Sequence, residues 1–508
     1  MGFDLKRIGL ALVLSFLLLF GVFSVWNTAL VRGAEASIYI RDDGSIEGTT
    51  TIVSDDNVTY TFTDNINGTI LIERNNIVID GAGYMLQGEG GFNEVGIRLY
   101  GLTNVTIQNM QIVNFQVGVY LQAYSSNNTV IGNTFTENDF PIELDVSSYN
   151  TISENILTNN NKGIWLDTAT GYSGASHYNI ISGNNITLCN WDAIGLANGS
   201  SNNTIIGNNM LNNQYSITMD GDCNDNTIKE NLMGASGWGI KLGYHCNQNI
   251  ISRNDISDTG YGFYIYRASN NSISGNNIVD SDYYGILFYQ SSDNKFWHNS
   301  LIDNTEQVHF DGDSYVNVWD DGASSGGNYW SDYAGSDTNG DGVGDTPYTI
   351  DGNNVDNYPL MAPFGSPVEK SFPINVGGTD YVISTVSNST VLDVSFDLED
   401  KQLSLNVTGP SGTTGFCNIT VPSEMMAGDF TLHLDDAVLI EDVDYVKSSN
   451  ATHYVFSVTY AHSSHLIEIV STEVVPDFAA WLFIPFLASA TLLGLALRRK
   501  LQKQQKPA

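Results

Sequence analysis

The sequence predicts an all-β protein: a right-handed parallel β-helix followed by a β-sandwich, with an N-terminal signal segment and a C-terminal transmembrane helix. Three observations predict it. A pair of Asn residues five apart recurs through the middle of the chain, alternating β-type segments fill residues 372–470, and apolar runs stand near both termini.

Residues 1–36 read as a signal peptide. Lys6 and Arg7 precede an apolar run from Ile8 to Trp26, and Ala34-Glu35-Ala36 supplies the small residues a signal peptidase needs. An uncleaved anchor is the alternative. At the other end residues 476–500 read as a membrane anchor: Ala479 to Leu497 is apolar, interrupted by Pro485, and Arg498, Arg499 and Lys500 follow. At about 1.5 Å per residue this run nearly crosses a hydrocarbon core of about 30 Å. The basic tail should stay cytoplasmic, leaving the rest on the extracellular face of the membrane. The 20 Lys and Arg against 56 Asp and Glu give a net charge of −36, which excludes nucleic acid as a partner by simple repulsion.

Residues 37–325 are assigned to the β-helix. Asn128, Asn150, Asn179, Asn203, Asn226, Asn249, Asn271 and Asn294 recur every 22 to 24 residues, with one interval of 29. Five residues after each stands another: Asn133, Asn155, Asn184, Asn208, Asn231, Asn254, Asn276 and Asn299. Asn104 and Asn109 begin the same pattern in this reading. A unit of this length holds about three short strands, none able to bury a face alone, so each coil must pair with the next. Equivalent residues then stack about 4.8 Å apart. A stacked Asn column can satisfy its own buried amides. The third strand of each coil reads Gly-Ile-x-Leu or a relative, as in Gly163 to Leu166 and Gly239 to Leu242, with the second and fourth residues inward.

These repeats of Asn-x-Ile-x-x-Asn with Gly-Ile-x-Leu, over about residues 70–320, resemble the NosD-like (periplasmic copper-binding) β-helix family, also described as a domain of carbohydrate-binding proteins and sugar hydrolases. The segment Gly327 to Tyr333, running on to Tyr358-Pro359-Leu360-Met361, is similar to the tail that closes many archaeal members. Val475-Pro476-Asp477-Phe478 resembles the archaeal PEF-CTERM sorting signal, with Asp in place of Glu. The resemblance implies a surface protein, with an archaeosortase as a processing partner.

Residues 326–365 form a closing segment and linker. Here Asp337, Asn339, Asp341, Val343 and Asp345 stand at positions 1, 3, 5, 7 and 9 of a calcium-type loop, with Gly342 at 6. Position 12 is Tyr348, so Asp351 or Asp356 would complete a structural Ca²⁺ shell. Pro363, Pro367 and Pro373 mark a boundary, and residues 366–472 read as seven antiparallel strands of a sandwich from Tyr381–Val386 to Leu466–Val470. The sandwich names no activity.

Reading the outward positions of the third strand up the stack places Glu143, Asp145 and Asp167 on adjacent coils beside Trp165, followed by Asp220, Lys241, Tyr264 and Tyr266. Rings and carboxylates suit sugar recognition, and paired carboxylates suit glycoside cleavage. Glu143, Asp145 and Asp167 are therefore the catalytic candidates, and Trp165, Asp220, Lys241, Tyr264 and Tyr266 the ligand-binding ones. Against this, an acidic, Tyr-rich composition alone would scatter such residues over every face. Cys223 and Cys246 share an offset in neighbouring repeats and are read as a disulfide, with a soft-metal pair as the alternative. Three functions stay open. The chain is an anchored glycan-binding or adhesive protein whose partner is an extracellular polysaccharide, a polysaccharide hydrolase or lyase, or an accessory protein for copper-enzyme maturation.

Overall fold

The computed structural model describes residues 37–168, 174–313, 315–323, 325–339, 341–365, 367–409 and 414–474. The expected signal segment and C-terminal anchor lie outside them, and among the described residues no helix is long and apolar enough to cross a membrane. Strands of three to six residues, with Ile, Leu or Val at alternate positions, wind into a right-handed parallel β-solenoid. Its three long sheets, named A, B and C here, have 13, 12 and 12 strands. Each coil visits B, then C, then A, as in Thr129–Ile131, Thr134–Thr136 and Phe140–Asp145. Coils stack in register: Ile142 faces Ile164, and Leu144 faces Leu166. The inward residues form one continuous core. At the N-terminal end Ile46–Glu47 folds back antiparallel onto Ser37–Ile40, and Ile52–Val53 onto Thr59–Phe62, which blunts the exposed sheet edges.

The corners are held by amide ladders. The Asn150 Oδ1 accepts from both the backbone N–H and the Nδ2 of Asn128, at 2.9 and 3.1 Å, while the Asn128 Nδ2 also donates to the Leu102 carbonyl at 3.0 Å. The same pattern runs through Asn179, Asn203, Asn226 and Asn249 to Asn294. A second ladder runs from Asn133 to Asn299. The buried amides of these two ladders are thus paired, as burial of polar groups requires. The ladders start one coil later than the sequence suggests. Val105 and Met110 donate their N–H groups to Asn128 and Asn133, so they hold the ladder positions. Asn104 and Asn109 sit one residue earlier, in left-handed turns at φ 58° and 55°. A third, broken ladder of Asn138, Asn160, Asn213 and Asn304 follows five residues after the second, a spacing visible in the sequence but not read there.

The closing segment ends both ladders. Asn317 and Asn354 extend the first, and Asn328 and Asp356 the second. Trp319 and Trp330 pack beneath the last coil at 1 % exposure each, so they plug the core. Asp356 is fully buried and accepts from the N–H groups of Asn328, Trp330 Nε1 and Tyr358. It therefore serves the ladder and is not part of a calcium shell. Burial holds its carboxyl up at about 6 against those hydrogen bonds.

Residues 368–474 form two five-stranded antiparallel sheets of sandwich type, around Leu403, Ile419, Phe456 and Ile469. Three strands exceed the seven expected: Val368–Val376, Ala437–Val438 and Tyr445–Ser449. The first contains Pro373, read as a boundary, but it is an edge strand, where proline's missing N–H costs no ladder bond.

Candidate functional site: the outer face of sheet A

Sheet A brings the expected outward residues together in register. Tyr120 pairs with Glu143, Glu143 with Trp165, Trp165 with Gly195, Thr218 with Lys241, and Lys241 with Tyr264. In the next column Asp145 pairs with Asp167, Ala197 with Asp220, and Tyr266 with Tyr289. The even scatter that composition suggests is not found. Between Thr129 and Ile302 the outward strand positions of sheet B hold one ring, Trp297, and no carboxylate; those of sheet C hold one carboxylate, Asp255, and no ring.

A third outward column was missed. Asp192, Tyr215, Trp238, Tyr261, Tyr284 and Glu306 pair in succession. Strict alternation would turn these residues inward, because each stands two positions before an inward apolar residue such as Ile217, Ile240, Phe263 or Ile286. The inward position is taken by Gly239 and Gly262 instead, where a Cβ would meet the Ile256 or Ile278 side chain at 2.5 Å. The repeated aromatic-Gly pair was the available signal.

The face has two halves. In the acidic half Glu143, Asp145, Asp167 and Asp192 lie on consecutive coils. The Tyr120 hydroxyl donates to Asp145 at 3.2 Å, the Trp165 Nε1 donates to Asp167 at 3.1 Å, and the Asn198 Nδ2 donates to Asp167 at 2.6 Å. Burial, with help from Asp145 and Asp167, pushes the Glu143 carboxyl up to about 7. Lys162, which sequence reasoning missed, places its ammonium 3.2 Å from the centre of the Trp165 ring and 3.8 Å from Asp192. Burial pushes that ammonium down from its usual range. Trp165 lies over the bare backbone of Gly195, where a Cβ would meet its ring at 2.0 Å.

The aromatic half begins at Trp191, a half-exposed ring tilted 48° against Tyr215. Tyr215 stacks on Trp238 with centroids 4.1 Å apart, and Tyr266 on Tyr289 at 5.1 Å. Rings stacked along the solenoid axis turn their hydroxyl-bearing edges outward, whereas tilted rings such as Trp191 and Tyr264 keep part of a face uncovered. Asp220 and Lys241 form an ion pair at 3.0 Å where the halves meet.

The other candidates are not gathered with this face. In the calcium-type loop the Asp337 carboxylate accepts from the N–H of Gly342, that of Asp341 from the N–H of Val343, and that of Asp345 from Thr338. Among the described residues no group of three or more His, Cys, Asp or Glu is placed to hold a metal ion. Cys223 and Cys246 are buried on adjacent coils and are free thiols, which corrects the expected disulfide.

The fold and its one decorated face define a class: a parallel β-solenoid with one polar and aromatic face. The sequence profile of the family described as periplasmic copper-binding protein (NosD) matches residues 27–227 and 217–335, and the chain belongs to this family. No curated protein matches the chain. Solved structures of similar fold include a mutant of the periplasmic alginate epimerase AlgG (TM-score 0.44, 13 % identity, covering 52 % of this chain and 77 % of that one). Another is the catalytic domain of a GH87 α-1,3-glucanase with tetrasaccharides (0.40, 16 %, 52 % and 59 %). A third is the tailspike protein of E. coli bacteriophage HK620 with pentasaccharide (0.39, 8 %, 82 % and 82 %). At these identities the likeness is one of fold alone.

Proposed function

We propose that the protein is an exported, membrane-anchored surface solenoid that binds an extended glycan along sheet A. The single supporting observation is one-sidedness: rings and carboxylates concentrate on sheet A, although the fold imposes no such preference. Tilted rings can stack on sugar C–H faces, while the phenol edges and carboxylates exchange hydrogen bonds with hydroxyls. The test is retention of the full chain on a panel of immobilised polysaccharides. Trp191→Ala should abolish retention, whereas Trp297→Ala, on sheet B, should leave it intact. Equal loss in both variants, or no retention by the parent chain, overturns the reading.

Glu143 favours a second reading, polysaccharide cleavage. A carboxyl near 7 beside Asp145 and Asp167 suits a general acid paired with a base. Reducing ends released from the retained polysaccharide, and lost in Asp167→Ala, would establish it. The order of ligands from Asp337 to Asp345 further supports structural calcium in the closing segment, with the carboxylates re-aimed from their backbone partners. Anchoring by residues 476–500 and processing by an archaeosortase complete the proposal.

A further inference from the structure

On four consecutive coils the polypeptide carries an exposed tyrosine where it leaves sheet A for sheet B: Tyr100, Tyr124, Tyr149 and Tyr178, at 58, 61, 57 and 49 % exposure. The last two of these coils also carry Glu143, Asp145 and Asp167. The next five such turns, through residue 294, hold one tyrosine, Tyr244. Tyr124, Tyr149 and Tyr178 have left-handed backbone, with φ of 69°, 62° and 55°. Tyr149 and Tyr178 share the column immediately before the first Asn ladder, which other coils fill with polar residues such as Asn127, Asn202, Asp225 and Gln248. Short polar side chains suit a left-handed turn because they bond locally, whereas a phenol ring gains nothing there. The two rings stack on each other, with centroids 5.0 Å and planes 9° apart. With half of each ring in solvent they fill no core position. Strain kept at an exposed place marks a role other than packing.

We propose that Tyr149 and Tyr178 form a corner subsite for the glycan of sheet A, and that this glycan is an uncharged polysaccharide. The subsite rests on the glycan-binding reading above and adds to it a path and a substrate class. A six-residue strand spans about 20 Å. Trp191 stands where the polypeptide enters sheet A, and Tyr178 follows the sheet A strand of the preceding coil. A sugar chain crossing from one to the other runs over Asp192, Trp165 and Asp167. At the corner the paired rings offer it phenol hydroxyls and uncovered apolar surface. Along this crossing Glu143, Asp145, Asp167 and Asp192 outnumber the cations Arg98 and Lys162, in a chain of net charge −36. Uronate or sulfate groups would be repelled there, whereas neutral sugar hydroxyls donate to the carboxylates.

The experiment measures binding of the full chain to immobilised xylan, mannan and β-glucan as uncharged probes, and to polygalacturonate as the anionic one. The parent should be retained by an uncharged polysaccharide and not by polygalacturonate. On the retaining polysaccharide Tyr178→Asn and Tyr149→Gln, residue types the column already holds, should each weaken binding about tenfold, or about 1.4 kcal/mol. Their thermal midpoints should stay level or rise, because the left-handed turns are relieved. Parent-like binding in these variants, with Trp191→Ala still deficient, removes the corner subsite and leaves the glycan reading standing. A midpoint that falls together with the affinity makes the rings structural and likewise removes the subsite. Retention by polygalacturonate overturns the substrate class. A parent retained by no polysaccharide takes down the subsite and the reading beneath it.

Discussion

Sheet A and its partners B and C share a backbone. They have the same register, the same inward Ile, Leu and Val, and the same ladders at their ends. They differ in what they show to solvent: Thr, Ser, Asn and scattered apolar residues on B and C, rings and carboxylates on A. The difference separates what the frame needs from what it displays. Inward residues and ladder amides suffice to build a coil, so the outer residues of sheet A are free for another role.

The largest expected effect tests the frame. The Asn203 Oδ1 accepts from the N–H and Nδ2 of Asn179, and its Nδ2 donates to the Ser176 carbonyl. Asn203→Ala strands these buried partners at about 1–3 kcal/mol each, so the urea midpoint should fall steeply. Tyr261→Ala on the sheet A face should move it by only about 1 kcal/mol or less. Comparable losses would erase the distinction between frame and display. Next comes ligand affinity. Tyr215→Ala and Tyr264→Ala should each weaken polysaccharide binding about tenfold, or about 1.4 kcal/mol, with the thermal midpoint nearly unchanged.

A smaller effect depends on pH. The Glu143 pKa is raised from 4.5 to about 7 in the folded chain. Its contribution to stability is therefore fully present below about pH 4.5 and lost as pH rises through 7. Glu143→Gln should melt with the parent at pH 4.5 and above it at pH 8; the reverse order would show that the carboxylate is stabilised by its surroundings. The smallest effect is expected from calcium, for which millimolar Ca²⁺ should raise the midpoint by a few degrees, and not in Asp337→Ala.

The solenoid was legible because its signal is periodic: each ladder Asn recurs where only a stacked amide satisfies a buried turn. The start of the ladders was misread because Asn also favours left-handed turns, and Asn104 and Asn109 are that kind. Within the candidate face, period-2 reasoning put Glu143 and Trp165 in one column of sheet A and Asp145 and Asp167 in the next, as the register has them, although Asp145 is only 1 % exposed. It failed at Tyr215, Trp238 and Tyr261, because the crowded small position after each reverses the alternation. Lys162 could not be found by column counting, since it lies in the turn before its strand. The cysteines were placed on neighbouring coils correctly, because a shared offset on in-register coils sets proximity, but both are free thiols.

The in-register stacking has an evolutionary corollary. An insertion of one residue within a strand would reverse every side chain beyond it in that strand, so growth by whole turns, or by added residues at a corner, disturbs the stack least. The unit between Asn150 and Asn179 is longer than its neighbours, its extra residues following Asp167 in the chain. Relatives should accordingly differ in length by steps of about one turn, and the span of ligand they can accommodate should change by the same increments.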